Sequence, residues 1–249
     1  MRKSVDYRMR RLTYHEDRNC LSWWFPRIAG AGLPVPETRI LWTECHLLDL
    51  CGGKTPIGFD GFAATIDAYA NELGGYPVFL RTGQTSAKHS WKDSCFLPSK
   101  EEIGRHVARI VEFSECCDML GLPHHVWAVR KLLPVEPLFR WRAYGDMPFV
   151  REIRVFVRNG AVKYHVPYWP EDAVRGGVPD AKDWEDRLRV ASEFSLRELN
   201  VAYGLAKSAG AACFGRWSVD CLEADGCWYV TDMAIAELSW GYDEEKFSA

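Results

Sequence analysis

The sequence lacks the features that mark a membrane-spanning, secreted or strongly nucleic-acid-binding protein. No stretch of its 249 residues reaches the roughly eighteen apolar residues that a membrane-spanning helix requires, and the basic N-terminus is not followed by the apolar core of a signal peptide. The formal net charge is only -3, so no overall positive field attracts nucleic acid or an anionic membrane. We therefore expect a cytoplasmic protein with no membrane partner, for which nucleic acid is an open but not a favoured partner.

The cysteines also lack a recognisable pattern. There are nine of them, an odd number at irregular spacing, and Cys116 and Cys117 are directly adjacent rather than two residues apart. A structural zinc site needs two C-x-x-C pairs, or one such pair followed by two histidines. We therefore predict free, mostly buried thiols, as in a reducing compartment.

The composition is that of an ordinary globular protein, with 47% hydrophobic and 26% charged residues. The length fits one bilobed domain or two small ones. Aromatic residues make up 13% of the chain and include eleven tryptophans. Such side chains pack cores, line pockets or stack on a purine or a nucleic-acid base, and composition does not choose between these roles.

Apolar residues at helical spacing predict three helices, over Gly61–Leu73, Ser99–Leu120 and Asp183–Leu205. Ser99 and Glu102 have the spacing of a capping box at the start of the second helix.

Strands are predicted where short apolar or alternating runs end at turn residues. They cover Thr38–Trp42, Pro77–Arg81, Val126–Leu133, Ile153–Val157, Ala161–Val166, Ala212–Glu223 and Cys227–Asp232. The turn Arg158-Asn159-Gly160 predicts a tight hairpin, because Asn-Gly readily adopts positive φ angles. Helices and strands mix without regular β-α-β alternation, which favours an α+β fold with antiparallel sheets. The prolines and glycines of Pro134–Pro148 predict a boundary between an N-terminal region, 1–134, and a C-terminal lobe, 135–249.

The first cluster of candidate site residues follows a predicted buried strand. Arg81 ends that strand, and Lys88 closes the polar loop that comes after it. Two cations and a loop rich in small hydroxyl residues suit a polyphosphate, because loop N–H and hydroxyl groups donate to phosphate oxygens. The segment is not a Walker motif, and a solvated surface loop is the alternative.

Two further clusters place cations on strands. Arg130 and Lys131 are adjacent, so their side chains point to opposite faces and one of them enters a cleft or pairs with an acid. Protection of an edge strand by lysine is the alternative. Glu152 and Arg154 share one face of their strand. They form either a surface pair or a buried arginine that is held by glutamate and aimed at phosphate.

Two aspartates lie in apolar strands on either side of a turn. Asp220 and Asp232 repel each other if these strands are neighbours, unless a cation lies between them. Mg²⁺ takes one or two carboxylates together with phosphate oxygens. We therefore predict a magnesium site here; the alternative is that one aspartate caps a turn and the other is exposed.

The charged residues follow one another in a set order. A strand cation and a loop lysine come first, then the R-K strand and the R-E-x-R strand, and finally the two strand aspartates. This order resembles that of the ATP-grasp superfamily. The resemblance is greatest to its eukaryotic cell-division-cycle branch, whose members act as assembly chaperones for a translation initiation factor. It runs from about Val78 to Ala234. Val129–Lys131 resembles that branch's hinge strand, and Glu152–Val157 its E-F-R-x-F-V strand. Val219-Asp220 and Asp232-Met233-Ala234 resemble its V-D and D-F-N metal segments.

The resemblance implies two lobes with antiparallel sheets and flanking helices, which hold Mg²⁺ and ATP between them. The implied phosphate-binding residues are Arg81, Lys88 and Arg154, and the implied metal-binding residues are Asp220 and Asp232. Lys131 and Leu133 would lie along the adenine, and Arg130 is a further cofactor-binding residue. Lys88 and Arg154 would also be the catalytic residues. Ala234 stands where the family has a metal-binding asparagine, and Glu237 from the next turn is the nearest substitute.

ATP-grasp enzymes activate a carboxylate as an acylphosphate, which an amine or another nucleophile then attacks. The resemblance therefore predicts an ATP-dependent ligase that forms carbon–nitrogen bonds on an unknown small-molecule or protein substrate. One alternative is a non-catalytic ATP-binding assembly factor for a protein partner, which the alanine at position 234 favours. The other is a nucleotidyltransferase or RNA ligase that acts through an adenylate on Lys88 or Lys131.

Overall fold

The computed structural model describes residues 17–117 and 121–248. This part of the chain forms two four-stranded sheets and one two-stranded sheet, and every pairing between neighbouring strands is antiparallel. The strands, in chain order, are β1 Thr38–Trp42, β2 Val78–Thr82, β3 Phe96–Leu97, β4 Val126–Lys131, β5 Phe139–Trp141, β6 Met147–Phe149, β7 Glu152–Arg158, β8 Ala161–Pro167, β9 Arg216–Ala224 and β10 Cys227–Ile235.

Helices flank these sheets. They are α1 Leu21–Gly30, α2 Phe59–Glu72, α3 Ile103–Cys116, α4 Glu171–Gly176, α5 Trp184–Ser192, α6 Leu196–Cys213 and α7 Glu244–Ser248. Short 3₁₀ turns occupy Leu47–Gly52, Lys88–Asp93, Lys100–Glu102, Arg142–Tyr144 and Ala236–Leu238. Within the described ranges, none of the helices has both the length and the apolar character needed to cross a bilayer.

The first sheet has the strand order β1-β4-β2-β3 and packs against α2 and α3. Side chains alternate along β2, so Val78 and Leu80 enter the core shared with these helices, while Phe79 and Arg81 project from the opposite face. Arg130 on β4 lies directly opposite Phe79 and therefore shares that face. The face of the first sheet opposite its helices thus carries two buried arginines.

The second sheet has the order β10-β9-β7-β8, and α1 and α6 pack on one face of it. Arg154, Asp220 and Asp232 form a row in register across β7, β9 and β10 on the other face. A bulge at Thr231 makes this row possible, because it lets Val230 point into the core and Asp232, two residues later, point to the opposite face.

A third, aromatic core lies beside these two sheets. The β5–β6 hairpin, Trp169 and helices α4 and α5 contribute to it. Phe139 and Phe149 stack with their ring centroids 4.3 Å apart, and Trp141 meets Trp169 edge-on at 4.8 Å. Many of the aromatic residues that stand out in the composition therefore serve packing.

The α+β fold with antiparallel sheets is confirmed. The predicted hairpin is also present between β7 and β8, where Asn159 and Gly160 have φ angles of 52° and 79°, as a type I′ turn requires. All nine cysteines are free, but three of them, Cys51, Cys116 and Cys227, are exposed.

The prediction of one helix over Asp183–Leu205 is wrong. The chain leaves helical geometry after α5 and starts α6 at Ser195, whose side chain forms a capping box with Glu198. Helical spacing of apolar residues continues across this break, so periodicity alone does not reveal it. The helix α6 also extends to Cys213, so the strand predicted from Ala212 begins only at Arg216.

The predicted start of the helix at Ser99 is also wrong. No side chain caps this end; a 3₁₀ turn follows Ser99, and α3 begins at Ile103. The helix ends at Cys116, and residues 118–120 of the predicted helix lie outside the described residues. The boundary at residue 134 stays a prediction, and residues 1–16 of the region 1–134 lie outside the described residues too. The helix α1, from that N-terminal region, packs on the second sheet.

Candidate functional site

One cleft lies where the two sheets face each other, and its empty volume is about 820 Å³ with its open mouth included. Both sheets contribute to its wall on the faces opposite their helices. The lining residues from these strands include Phe79, Arg81 and Arg130 of the first sheet and Glu152, Leu222 and Asp232 of the second. Lys88, Lys131 and Leu133 also line the cleft. It therefore brings together most of the residues predicted from the sequence.

An ion pair joins the two sheets across this cleft. The Nη1 of Arg81 donates to Oδ2 of Asp232 at 2.9 Å. Arg81 is only 4% exposed, and its Nε donates to the carbonyl of Thr82. The other carboxylate oxygen of Asp232 accepts the backbone N–H of Met233 at 3.0 Å. Both oxygens of Asp232 are thus engaged within the protein.

A second ion pair lies in the register row beside the cleft. Arg154 donates from Nε and Nη2 to the two carboxylate oxygens of Asp220, at 2.7 and 2.9 Å. Its Nη1 donates to the carbonyl of Trp240 at 3.1 Å. Burial alone would lower the pKa of Arg154, but Asp220 outweighs it and the net shift is upward. Neither alternative from the sequence describes this contact: the Arg154 side chain is mostly buried, at 12% exposed, and it pairs with Asp220 rather than with Glu152.

Among the residues that the structure describes, Arg130 is a buried cation that forms no ion pair. It is 4% exposed, and its Nε and Nη1 donate to Oγ1 of Thr38 and to the carbonyl of Thr231, at 3.2 and 2.7 Å. Its Nη2 is buried and has no hydrogen-bond partner in the described ranges. Burial, with the nearby positive charge of Arg81, lowers its pKa. Lys131 is exposed and lies opposite Val78, whose side chain faces the helix-covered core, so the two adjacent cations do point to opposite faces.

Lys88 is held by aromatic side chains. Its Nζ donates to the hydroxyl of Tyr168 at 2.6 Å and lies 4.2 and 4.3 Å from the ring centroids of Tyr168 and Trp169. Burial alone would lower the pKa of Lys88, but Tyr168 and Glu152 outweigh it and the net shift is upward. The lysine therefore stays charged inside the cleft.

Glu152 is a site residue that the sequence prediction left without a role of its own. It is 7% exposed, and its Oε1 accepts a long hydrogen bond of 3.4 Å from Thr231. Burial raises its pKa to about 7, and Lys88 partly offsets the rise. The two-residue spacing to Arg154 already places Glu152 on the same face of the strand, but it does not show that the face is buried.

The rest of the cleft wall is apolar. Phe79, Trp91, Met147, Val150 and Leu222 all contribute to it. Sequence reasoning missed this part, because such residues carry no signal that separates a pocket wall from a core. A cleft with cations and an apolar wall suits a ligand that is flat and apolar at one end and anionic at the other.

The resemblance found in the sequence implies Mg²⁺, with Asp220 and Asp232 as its ligands. Asp232 lines the cleft, and Asp220 lies directly opposite it on the neighbouring strand. Throughout the described ranges, three His, Cys, Asp or Glu residues are nowhere grouped so that they could hold a metal ion. Ala234 offers no side-chain donor, and Glu237 is paired with Arg216 at 2.7 Å. The donor set therefore meets only the minimum for Mg²⁺, with phosphate oxygens left to complete it.

Comparison with known proteins gives a fold but no close relative. No family model matches the sequence, and no curated protein matches it. C-terminally truncated Cdc123 from Schizosaccharomyces pombe is similar in structure, with a TM-score of 0.56 and 11% identity over 90% of this chain and 86% of that one. A carboxyaminoimidazole ribonucleotide synthase from Aspergillus clavatus, solved with ATP, is also similar in structure. Its TM-score is 0.50, with 14% identity over 88% of this chain and 45% of the synthase.

A RimK-domain ATP-grasp protein from Sphaerobacter thermophilus also matches, with a TM-score of 0.47 and 14% identity over 87% of this chain. The chain spans 59% of the length of that protein. At these identities the similarity concerns the fold alone. The chain has the ATP-grasp fold.

Proposed function

We propose that the protein binds ATP in the cleft, with the phosphates at the buried cations and the purine against the apolar wall. The observation that carries this proposal is Arg130. Its guanidinium is buried in the cleft wall, forms no ion pair within the described ranges, and leaves Nη2 without a hydrogen-bond partner.

The charge balance of the cleft supports an anionic ligand. A buried charge costs several kcal/mol unless a partner compensates for it. The charge of Arg81 is compensated by Asp232. The remaining charged groups considered in the cleft are two cations, Lys88 and Arg130, and one carboxyl, Glu152. Because the pKa of Glu152 is about 7, that carboxyl is only partly ionised at neutral pH. A polyphosphate would supply the missing negative charge through charge-assisted hydrogen bonds.

Mg²⁺ would be held by Asp232 and Asp220. When bound, it would neutralise phosphate charge and polarise the transferring phosphoryl group. Arg81 and Arg154 now hold these two carboxylates. The phosphates would compete for the same arginines, so metal and nucleotide should bind more tightly together than apart. The metal role of the two aspartates stays a prediction.

Two activities fit an ATP-binding cleft of this fold. The first is the predicted ligase, in which Lys88 and Arg154 act on the transferring phosphoryl group. The second is a non-catalytic assembly factor, and the small donor set around Asp220 and Asp232 favours it. Release of ADP or AMP in the presence of a metabolite extract would favour the ligase, and no release would favour the assembly factor. The other alternative from the sequence, a nucleotidyltransferase or RNA ligase, would leave covalent AMP on Lys88 or Lys131, which mass spectrometry detects.

Isothermal titration calorimetry with ATP, with and without Mg²⁺, tests the binding proposal. Replacing Arg130 by Met should weaken ATP binding by about tenfold or more, since one charge-assisted contact is worth roughly 1.5–3 kcal/mol. Arg109→Met is the matched control, because Arg109 is half exposed on α3 and pairs with Glu112 at the surface. Absence of ATP binding by the unmodified protein would overturn the proposal.

A further inference from the structure

The ring of Tyr168 contacts two cations that come from different parts of the fold. Lys88 comes from the loop after β2, and its Nζ lies 4.2 Å from the centroid of the Tyr168 ring. Arg154 comes from β7, and its guanidinium carbon lies 4.8 Å from the same ring. A cation over an aromatic ring is stabilised by the electron density of its face. One ring therefore holds both side chains that the sequence predicts to be catalytic.

The backbone fixes Tyr168 in this place. It directly follows β8, and its N–H donates to the carbonyl of Glu152 at 3.2 Å, which ties it to the start of β7. The side chain lines the cleft, and the neighbouring Trp169 belongs to the aromatic core and also contacts Lys88. Arg154 does not line the cleft itself. The ring of Tyr168 thus connects Arg154 to the cleft wall.

The hydroxyl of Tyr168 still has a proton to donate. A phenol offers one O–H donor and accepts through its oxygen, whereas an ammonium group can only donate. The 2.6 Å hydrogen bond therefore runs from Lys88 to Tyr168. Burial raises the pKa of Tyr168, so the hydroxyl keeps its proton near neutral pH. In the described part of the chain, Tyr168 makes no hydrogen bond through that proton.

We propose that Tyr168 is a positioning residue of the phosphate site, which orients Lys88 and Arg154 and donates its hydroxyl hydrogen to an oxygen of the bound polyphosphate. This inference rests on the proposed ATP-binding function and adds a residue to it. A phosphate oxygen at the charged end of the cleft is an acceptor that both the lysine and the hydroxyl can share. The contacts that now connect the two cations would then keep Arg154 beside the lysine that contacts the phosphate.

Two variants separate the parts of this role. Tyr168→Phe keeps the ring under both cations and removes only the hydroxyl, and we expect ATP binding to weaken about tenfold. Tyr168→Leu removes the ring as well and should weaken it further. Tyr203→Phe is the control, because its hydroxyl contacts His165 and its side chain packs against the helix-covered core of the second sheet.

The ligand series shows whether the effect comes from the phosphates. ATP is titrated by calorimetry, and adenosine is measured at millimolar concentration as a competitor of ATP. The proposal expects the loss in Tyr168→Phe for ATP and little change for adenosine. Equal losses for both ligands would show that Tyr168 only maintains the fold of the cleft, and no loss for ATP would remove it from the site. Either result overturns the inference.

A double-mutant cycle in ATP affinity tests the link to Lys88. If Tyr168 acts through Lys88, the combined Lys88→Met and Tyr168→Phe variant should lose clearly less than the product of the two separate losses. Losses that simply multiply would contradict the positioning role. If the unmodified protein binds neither ATP nor adenosine, the proposed function itself fails. If the unmodified protein binds ATP and the Tyr168 variants bind it equally well, only the inference about Tyr168 fails.

Discussion

Arg81 of the first sheet and Asp232 of the second form an ion pair of 2.9 Å that crosses the cleft. The arginine is almost completely buried, whereas the aspartate side chain is 40% exposed. The same carboxylate is the predicted metal ligand that lines the cleft. A ligand that takes the arginine would therefore release the aspartate, so anion binding and the predicted metal binding would be coupled through this one contact.

This coupling makes Asp232→Asn a test of the metal site. The amide cannot replace the anionic ligand that Mg²⁺ prefers, so we expect Mg²⁺ to lose its effect on ATP affinity while the fold stays intact. Calorimetry with and without Mg²⁺ measures the effect, and circular dichroism checks the fold. Asp225→Asn, in the exposed β9–β10 turn, is the control. Normal binding of Mg²⁺ and ATP by the Asp232 variant would contradict the metal assignment.

Lys88→Ala tests the loop cation. Loss of one charge-assisted phosphate contact, worth roughly 1.5–3 kcal/mol, should weaken ATP binding at least tenfold. The variant also loses its contacts with Tyr168 and Trp169, so its thermal midpoint must be measured beside the affinity. Lys207→Ala, on an exposed position of α6, controls for the change in net charge. Unchanged ATP affinity would exclude Lys88 from the site.

Several of these residues could be predicted from the sequence because their signal is local. Alternation along a strand is enough to send Arg130 and Lys131 to opposite faces, and Asn159-Gly160 is enough to define the hairpin. A cation at the end of an apolar strand, such as Arg81, is also visible without a structure. Such signals need only a few neighbouring residues.

The partners of the charged residues could not be predicted, because they depend on strand register. Arg154 and Asp220 are 66 positions apart in sequence and meet only because β7 and β9 pair in one particular alignment. From the sequence, Glu152 was the nearest acid and therefore the natural partner. Asp232 likewise reaches the cleft only through the bulge at Thr231, which a strict two-residue period does not include.

Glu152→Gln should change how stability depends on pH. Burial raises the pKa of Glu152 from 4.5 to about 7 in the folded protein, while the unfolded chain keeps an ordinary value. Between these two values the folded state binds more protons than the unfolded state. Its stability therefore falls as pH rises from about 4.5 to about 7 and loses nothing more from this group above that.

The glutamine variant lacks this titration. Its free energy of unfolding should exceed that of the unmodified protein at pH 8, by up to about 3 kcal/mol, and the difference should shrink towards pH 5. Urea unfolding at several pH values measures this. Glu223→Gln, on the same sheet but with a side chain 35% exposed, is the control. Parallel stability curves for the Glu152 variant and the unmodified protein would show that Glu152 titrates normally.

Two serines have the sequence spacing of a helix cap, but only one of them caps a helix. Ser195 caps α6 and forms a reciprocal box with Glu198, whereas Ser99 makes no side-chain cap despite the same S-x-x-E spacing. Ser195→Ala should therefore lower the free energy of unfolding by about 1 kcal/mol, and Ser99→Ala should cost only a few tenths, since it removes no capped N–H. Urea unfolding at pH 7 compares the two. Equal losses would mean that the capping signal at Ser99 is used in the folded chain after all, and that the helix begins where periodicity places it.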